Sequence, residues 1–226
     1  MVATNRCKRY EQLEAGRRAM RGQPLLARLD GRALRTYPLD PDQPFEPATS
    51  RCLIETTRFV VQQTQARIGS TQRDEITLAW YEPPQSRSEY LFDGCFQKIA
   101  SVLAGMASAR FCQLIAPALP ARANGLPHFD CCVWQVPTLE DAVDTFVWRE
   151  EDALPLQGAA TYVQRRAFEC SLSPDERLRI PERHRPAPDA TFLRTEVVEL
   201  DLSPVRRIGN LMAVLFEAAE PEAAAD

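Results

Sequence analysis

The sequence contains few of the residues from which metal and nucleophilic sites are most often built. It has two histidines, His128 and His184, among 226 residues. Its seven cysteines are irregularly spaced and include no CxxC pair. Because neither histidine lies at ligand spacing from a cysteine pair, the pattern argues against a zinc site and against most Ser-His or Cys-His nucleophiles. Small buried thiols in a reducing compartment are the simpler interpretation.

Lysine is also scarce, and neither sign of charge is in large excess. Arginine outnumbers lysine 25 to 2, and the net charge is −4. The surface as a whole should not attract nucleic acid, although paired arginines such as 165–166 and 206–207 are compatible with phosphate contacts or with solvated faces. The first 18 residues are polar and charged, and no apolar run is predicted to cross a bilayer. We therefore expect a cytoplasmic protein with no membrane partner.

The hydrophobic pattern predicts an α+β fold, and the length suffices for one large domain or a domain with an appendage. Helices are predicted at 8–21, 48–66, 95–112 and 138–152, and strands at 24–30, 66–70, 76–81, 129–136, 160–169, 192–202 and 211–218. The order up to residue 136 is β-α-β-β-α-β, typical of a ferredoxin-like antiparallel sheet with helices on one face. We expect one domain at 1–150, a C-terminal β extension packed on it at 151–220, and a disordered tail at 221–226.

Two aspartates lie at the ends of predicted strands. Asp30 closes the first strand and Asp74 opens the third, which in this topology runs antiparallel beside the first, so the two carboxylates should meet at one edge. Two unpaired carboxylates repel each other, and magnesium relieves this by binding one or two carboxylates together with water and phosphate. Gly31 allows a close backbone approach, and the turn that follows can present N–H groups to a triphosphate. An ordinary turn and a charged hairpin tip would also explain these residues.

Lys98, one of the two lysines, lies in an otherwise apolar predicted helix. It is either a surface lysine or a contact for a triphosphate.

Several motifs together resemble a known family. "RLDGRA", "ETTRF", "ARIG.TQ.DEI", "FDG..QK" and "FDC.VW.VP" occur in this order, and they resemble the tRNA-His guanylyltransferase family, specifically its bacterial branch of Thg-one-like reverse polymerases. The C-terminal "TYVQRRAFE", "HRP" and "EVVELDL" are similar to the same branch. The resemblance extends from about residue 10 to residue 216.

The resemblance implies a palm-like fold and a nucleotidyltransferase that adds nucleotides to the 5′ end of a tRNA in the 3′-to-5′ direction. It implies two Mg²⁺ ions, GTP and ATP as ligands, tRNA as partner, and a homo-oligomer that is usually a tetramer. Asp30, Asp74 and Glu75 match the catalytic positions, and Asp30, Asp74 and the backbone of Gly31 match the metal ligands. The nucleotide-binding positions are Asp30, Gly31, Arg32, Ala33, Leu34, Arg35, Arg73, Asp74 and Lys98.

The sequence departs from the family at several points. Arg73 stands where a serine usually precedes the second aspartate, and several dozen residues that serve 5′-end activation and tRNA contact are missing after residue 153. Two hypotheses therefore stay open: an active metal-dependent nucleotidyltransferase, and a palm-fold protein that binds nucleotide or RNA without completing the reaction. A cyclase-like relative is a weaker third, because the C-terminal similarity favours the guanylyltransferase branch.

Overall fold

A computed structural model describes residues 16–32, 34, 47–86, 88–153 and 160–224. Six strands in this part of the chain form one sheet. They are β1 (Leu25–Arg32), β2 (Ile68–Gln72), β3 (Glu75–Trp80), β4 (His128–Gln135), β5 (Thr161–Ser171) and β6 (Thr191–Leu200). The helices are α1 (Pro47–Thr64), α2 (Phe96–Ala118), α3 (Pro120–Ala123), α4 (Leu139–Ala153), α5 (Pro174–Leu178) and α6 (Leu211–Glu217), with 3-10 helices at Leu91–Gly94, Glu182–His184 and Val205–Arg207.

The sheet has the order β4-β1-β3-β2-β5-β6, and all neighbouring strands are antiparallel. The strands β4, β1, β3 and β2 have the ferredoxin-like order that the sequence predicts. The α+β class and the β-α-β-β-α-β succession are confirmed. β5 pairs with β2, so the C-terminal strands continue the same sheet.

Helices cover both faces of the sheet, because β1 is apolar on both sides. Leu25, Ala27 and Leu29 face the layer formed by α1 and α2. Leu26 faces the opposite way and packs with α4 and α6, where Phe146 is fully buried. The prediction of helices on one face accounts for the first layer only; the second layer was not predicted.

The stretch 211–218, predicted as a strand, is the helix α6. Leu211, Val214 and Leu215 are buried, and their spacing of three and four residues defines one face of a helix. A short apolar run does not by itself distinguish a buried strand from a buried helix, which is why the prediction was wrong.

Smaller differences occur at the ends of the elements. The predicted helix 8–21 lies largely outside the described residues, and its last part is not helical, since Arg18 forms an isolated β-bridge with Cys95. β1 continues two residues past Asp30. The tail predicted to be disordered, 221–226, makes backbone hydrogen bonds as far as Ala224, whose N–H donates to the carbonyl of Arg207 at 2.8 Å.

Among the described residues, α2 is the one helix that is long and apolar enough to cross a membrane by length and composition. It buries Ile99, Leu103, Ala107, Phe111 and Ile115 in the core, at the spacing of a helix that packs one face on a sheet.

Candidate active site

The end of β1 meets the tip of the β2–β3 hairpin. Asp30 lies directly opposite Glu75 in the antiparallel ladder, and the Gly31 N–H donates to the carbonyl of Asp74 at 2.8 Å. A Cβ at position 31 would lie 2.9 Å from that carbonyl oxygen, so only glycine allows this approach without a shift. Residues 30 and 74 are therefore at the same edge of the sheet.

A third carboxylate joins this edge from β4. Asp130 lies directly opposite Asp30, on the side away from Glu75. Residues directly opposite in antiparallel strands point to the same face, with Cβ atoms about 4.5–5.5 Å apart. Asp130, Asp30 and Glu75 thus form a row of three carboxylates across three adjacent strands, here called the acidic row.

Sequence reasoning missed Asp130, although it belongs to the quoted motif "FDC.VW.VP". The signal that could have found it is the ferredoxin-like strand order, which places β4 beside β1. The fourth strand then begins where the first one ends, and Asp130 follows the start of β4 by two residues.

Each carboxylate of the acidic row binds an arginine. Arg28 donates from Nε and Nη2 to one oxygen of Asp30 at 2.9 and 2.8 Å. Arg32 Nε donates to Asp130 at 2.6 Å. Arg28 and Arg32 flank Asp30 at a spacing of two residues, which places all three side chains on the same face of β1.

The third arginine comes from α4. Arg149 Nη1 lies 3.3 Å from a carboxylate oxygen of Glu75, and its guanidinium stacks on the Trp148 ring at 4.4 Å. Burial raises the pKa of Glu75; Arg149 opposes the rise, and the negative charge of Asp30 adds to it. Burial and the charge of Asp30 therefore outweigh the effect of Arg149 on the pKa of Glu75.

Glu150 anchors the helix that carries Arg149. Glu150 is buried. Its carboxylate accepts hydrogen bonds from the Ser203 hydroxyl and from the Val205 N–H, the latter at 2.7 Å. Burial raises the pKa of Glu150, while the bond from Val205 lowers it. The C-terminal segment thus fixes the end of α4 from which Arg149 reaches the acidic row.

A small cavity lies between the hairpin tip and α4. It measures about 50 Å³ and is lined by Arg73, Asp74, Glu75 and Arg149 among others, which is room for only a few water molecules. This cavity is too small for a nucleotide, whereas the acidic row beside it is partly open, since the Asp130 side chain is 47% exposed.

Comparison with known proteins decides the family. The family model for tRNAHis guanylyltransferase (Thg1) matches residues 4–137, which is more than half of the chain. The chain belongs to this family. No curated protein sequence matches it.

Solved structures of tRNA-His guanylyltransferases have similar folds. A bacterial tRNA(His) guanylyltransferase (Thg1)-like protein in complex with ATP aligns with a TM-score of 0.60 and 28% identity over 67% of this chain and 64% of that chain. A bacterial Thg1-like protein in complex with GTP aligns with a TM-score of 0.64 and 22% identity over 87% of this chain and 90% of that one. The tRNA(His) guanylyltransferase of Saccharomyces cerevisiae aligns with a TM-score of 0.54 and 18% identity over 63% of each chain.

In this member of the tRNA-His guanylyltransferase family, most of the site residues expected from the sequence lie together. The acidic row and the hairpin tip bring together Asp30, Gly31, Arg32, Arg73, Asp74 and Glu75. Leu34 is buried in the core near Gly31. Ala33 and Arg35 lie outside the described residues.

The exposed Lys98 is not near the acidic row. It lies in the first turn of α2. At this end of the helix the Phe96 N–H donates to the carbonyl of Arg17, which precedes β1 in the chain. The part of α2 nearest the strand ends of the acidic row is its middle, at Ser108, whose hydroxyl accepts a hydrogen bond from the N–H of Phe129. Ten residues separate Lys98 from Ser108, about 15 Å along the helix. Lys98 Nζ instead lies 5.0 Å from the centre of the Phe92 ring.

The acidic row and the hairpin tip fit magnesium by donor chemistry. Hard carboxylate and carbonyl oxygens suit this ion, and a cation here would oppose the repulsion between Asp30 and Glu75, which adds to the effect of burial on the pKa of Glu75. Among the described residues, no three Asp, Glu, His or Cys side chains are grouped to hold a metal by themselves. A magnesium ion here would therefore complete its shell with water and substrate phosphates.

Proposed function

We propose that this chain is a magnesium-dependent nucleotidyltransferase that adds nucleotides, with GTP as donor, to the 5′ end of a tRNA in the 3′-to-5′ direction. The reaction would be tRNA-His guanylylation or tRNA 5′-end repair. One observation carries the proposal: in a chain of this family, the acidic row lies beside the backbone contact between Gly31 and Asp74. The Thg1-like structures with ATP and with GTP support nucleoside triphosphates as ligands.

Asp30, Asp74 and the carbonyl of Gly31 would hold two magnesium ions, and Glu75 would act beside them. Bound magnesium would activate the attacking hydroxyl and neutralise the leaving pyrophosphate. The nucleotide would lie along the segment that follows Asp30, contacting Arg32, Ala33, the backbone of Leu34 and Arg35, with Arg73 at the hairpin tip. A triphosphate contact by Lys98 would require a second nucleotide position at the far end of α2.

The arginines of the acidic row would exchange partners when substrate binds. Arg28 and Arg149 now neutralise Asp30 and Glu75, and Arg149 Nε is buried with no hydrogen-bond partner among the described residues. Phosphate groups accept strong charge-assisted hydrogen bonds from guanidinium groups. We infer that these arginines turn to the triphosphate as magnesium takes over the carboxylates.

A second candidate is a catalytically impaired protein that binds nucleotide or RNA. It is favoured by the arginines that already neutralise Asp30, Asp130 and Glu75, since they compete with metal for the same oxygens. The chain also spans only 64% of the Thg1-like protein solved with ATP, although it spans 90% of the one solved with GTP. The roles of the missing segment in 5′-end activation are not assigned to any residue here.

The two candidates differ in transfer, not in binding. Incubation with magnesium, labelled GTP and a tRNA lacking its 5′ nucleotide should give labelled tRNA. Asp30→Ala and Asp74→Ala should each abolish the label, whereas Asp144→Ala, which removes an exposed aspartate on α4, should leave it unchanged.

GTP binding measured by calorimetry completes the test. Binding without transfer in the wild type would support the second candidate. Transfer that survives Asp74→Ala would show that the metal site is misplaced, and the absence of both binding and transfer would reject both candidates.

A further inference from the structure

The strand β6 is an edge strand with no strand partner on its outer side among the described residues. It is last in the sheet order, and its inner side is fully paired with β5 from Thr191 to Leu200. An edge of ten residues presents a row of backbone N–H and carbonyl groups that can pair with another strand.

The outer half of this edge is exposed on both faces of the sheet. β2 pairs with β5 only as far as residue 164, so β5 and β6 project beyond the rest of the sheet. All six residues from Thr191 to Glu196 are exposed, and Leu193 is 71% exposed. Apolar side chains on a long, open edge strand are a liability unless a partner covers them.

Backbone geometry allows few registers if the partner is a second copy of β6. In an antiparallel pair, a residue that points its N–H and carbonyl outward must oppose another such residue. One residue must therefore lie directly opposite its own copy in the other chain, with the two-fold axis midway between the two. Registers centred on Arg194, Thr195 or Glu196 pair at least seven residues of each strand, whereas one centred on Leu193 pairs only five. One centred on Val197 would place on the axis a carbonyl that already accepts a hydrogen bond from α1.

Charge selects one of these three registers. An axis through Arg194 or Glu196 would place each charge against its own copy, which is destabilising. An axis through Thr195 places Arg194 of each chain opposite Glu196 of the other, which gives two pairs of opposite charge. It also pairs Leu193 with the partner's Val197 and Phe192 with the partner's Val198.

We propose that two copies of this chain associate through antiparallel pairing of their β6 strands about a two-fold axis at Thr195. The two sheets would join into one sheet of twelve strands. Arg194 keeps donors available for this contact, because one nitrogen binds Glu176 in its own chain at 2.8 Å and a guanidinium carries five N–H groups. Arg166, which lies opposite Glu196 within the chain, is engaged with Gln164 and Glu220.

The inner limit of the free edge is set by α1. Arg58 Nη2 donates to the carbonyl of Val197 at 2.9 Å. A carbonyl has two acceptor positions, so this bond leaves room for one N–H from the partner subunit. Because a two-fold axis perpendicular to the sheet keeps each face on its own side, both acidic rows would open on the same side of the dimer.

The register predicts which single cysteine forms a disulfide across the axis. Directly opposite residues have Cα atoms about 4.5–5.5 Å apart, within the range for a disulfide. Thr195→Cys should therefore give a cross-linked dimer under mild oxidation. Thr191→Cys, exposed on the same strand and the same face, is the matched control. In this register the two cysteines at position 191 would lie eight residues apart along the paired strands, about 26 Å, too far for a disulfide.

Charge reversal tests the same register without oxidation. The wild type should be dimeric or larger by light scattering. Glu196→Arg should halve the measured mass, and the double variant Arg194→Glu/Glu196→Arg should restore it. A monomeric wild type, equal cross-linking at positions 191 and 195, or a mass that does not change with Glu196→Arg would each overturn the proposal.

Discussion

At the scale of single residues, arginine serves as the counterion at every carboxylate of the acidic row. Arg28 and Arg32 come from β1 itself, and Arg149 comes from α4. A guanidinium stays charged at any physiological pH and offers several donors in a fixed plane. The same property makes it a good phosphate ligand, so the arginines that hold the acids in the free protein are also suited to bind the substrate.

Gly31→Ala should destabilise the protein and distort the site. The new methyl group would collide with the buried Leu34 side chain and lie 2.9 Å from the Asp74 carbonyl oxygen, so both Leu34 and the hairpin tip would have to shift. We expect a loss of about 1–3 kcal/mol in the free energy of unfolding, the range for overpacked positions, measured by urea unfolding. Gly105→Ala is the control: nothing lies within 4 Å of its added methyl group, and alanine in an α-helix should stabilise by about 0.5–1 kcal/mol. Equal effects at both positions would contradict the close approach.

Ionisation of Glu75 should lower the free energy of unfolding as the pH rises. Its pKa is raised in the folded protein, chiefly by burial, so its contribution to stability is fully present below the unfolded pKa of about 4.3 and is lost as pH rises through the folded pKa. Glu75→Gln keeps a neutral side chain at every pH. The variant should therefore be more stable than the wild type at pH 8, and the difference should shrink towards pH 4 in urea unfolding.

Glu176→Gln should show the opposite sign and so serves as the control. The Ser173 backbone N–H and Arg194 hold the pKa of Glu176 at about 2, so its contribution to stability is present at neutral pH and is lost as pH falls towards 2. This variant should be less stable than the wild type at pH 8, with a difference that narrows in acid. Matching signs for the two variants would contradict the assignment.

At the scale of elements, the tip of the β2–β3 hairpin is strained. Gln72 pairs with Glu75, which leaves a loop of two residues, and Arg73 has φ of 60°. A positive φ at the first loop position strongly favours glycine. Arg73→Gly should therefore stabilise the protein by about 1 kcal/mol, measured as the urea midpoint at constant slope. Arg73→Ala removes the same charge but keeps the strain; if it stabilises equally, the charge and not the backbone is responsible.

Strands and helices of the palm-like half could be predicted from sequence because their patterns are local. β-branched and aromatic residues indicate β3, and a long apolar periodicity indicates α2. The helix α6 could not be assigned in this way, because its short apolar run acquires a helical face only against α4. Asp130 was missed for a similar reason: its closeness to Asp30 depends on strand order and on the register between β1 and β4. Partners contributed by distant elements, such as Arg149 for Glu75, have no signal in local sequence.

At the scale of the whole molecule, both halves of the chain contribute to the second core. Leu26, Ile68 and Phe146 from the first half pack with Tyr162 and Val214 from the second. A fragment of residues 1–153 would expose this apolar surface, and cores depend on close packing. We expect the fragment alone to lack a cooperative thermal transition and to bind a hydrophobic dye. Mixing it with a fragment of residues 154–226 should restore cooperative melting, since the contacts between the halves are then available again. A fragment 1–153 that melts cooperatively at the temperature of the full chain would instead show that the first domain folds without the C-terminal extension.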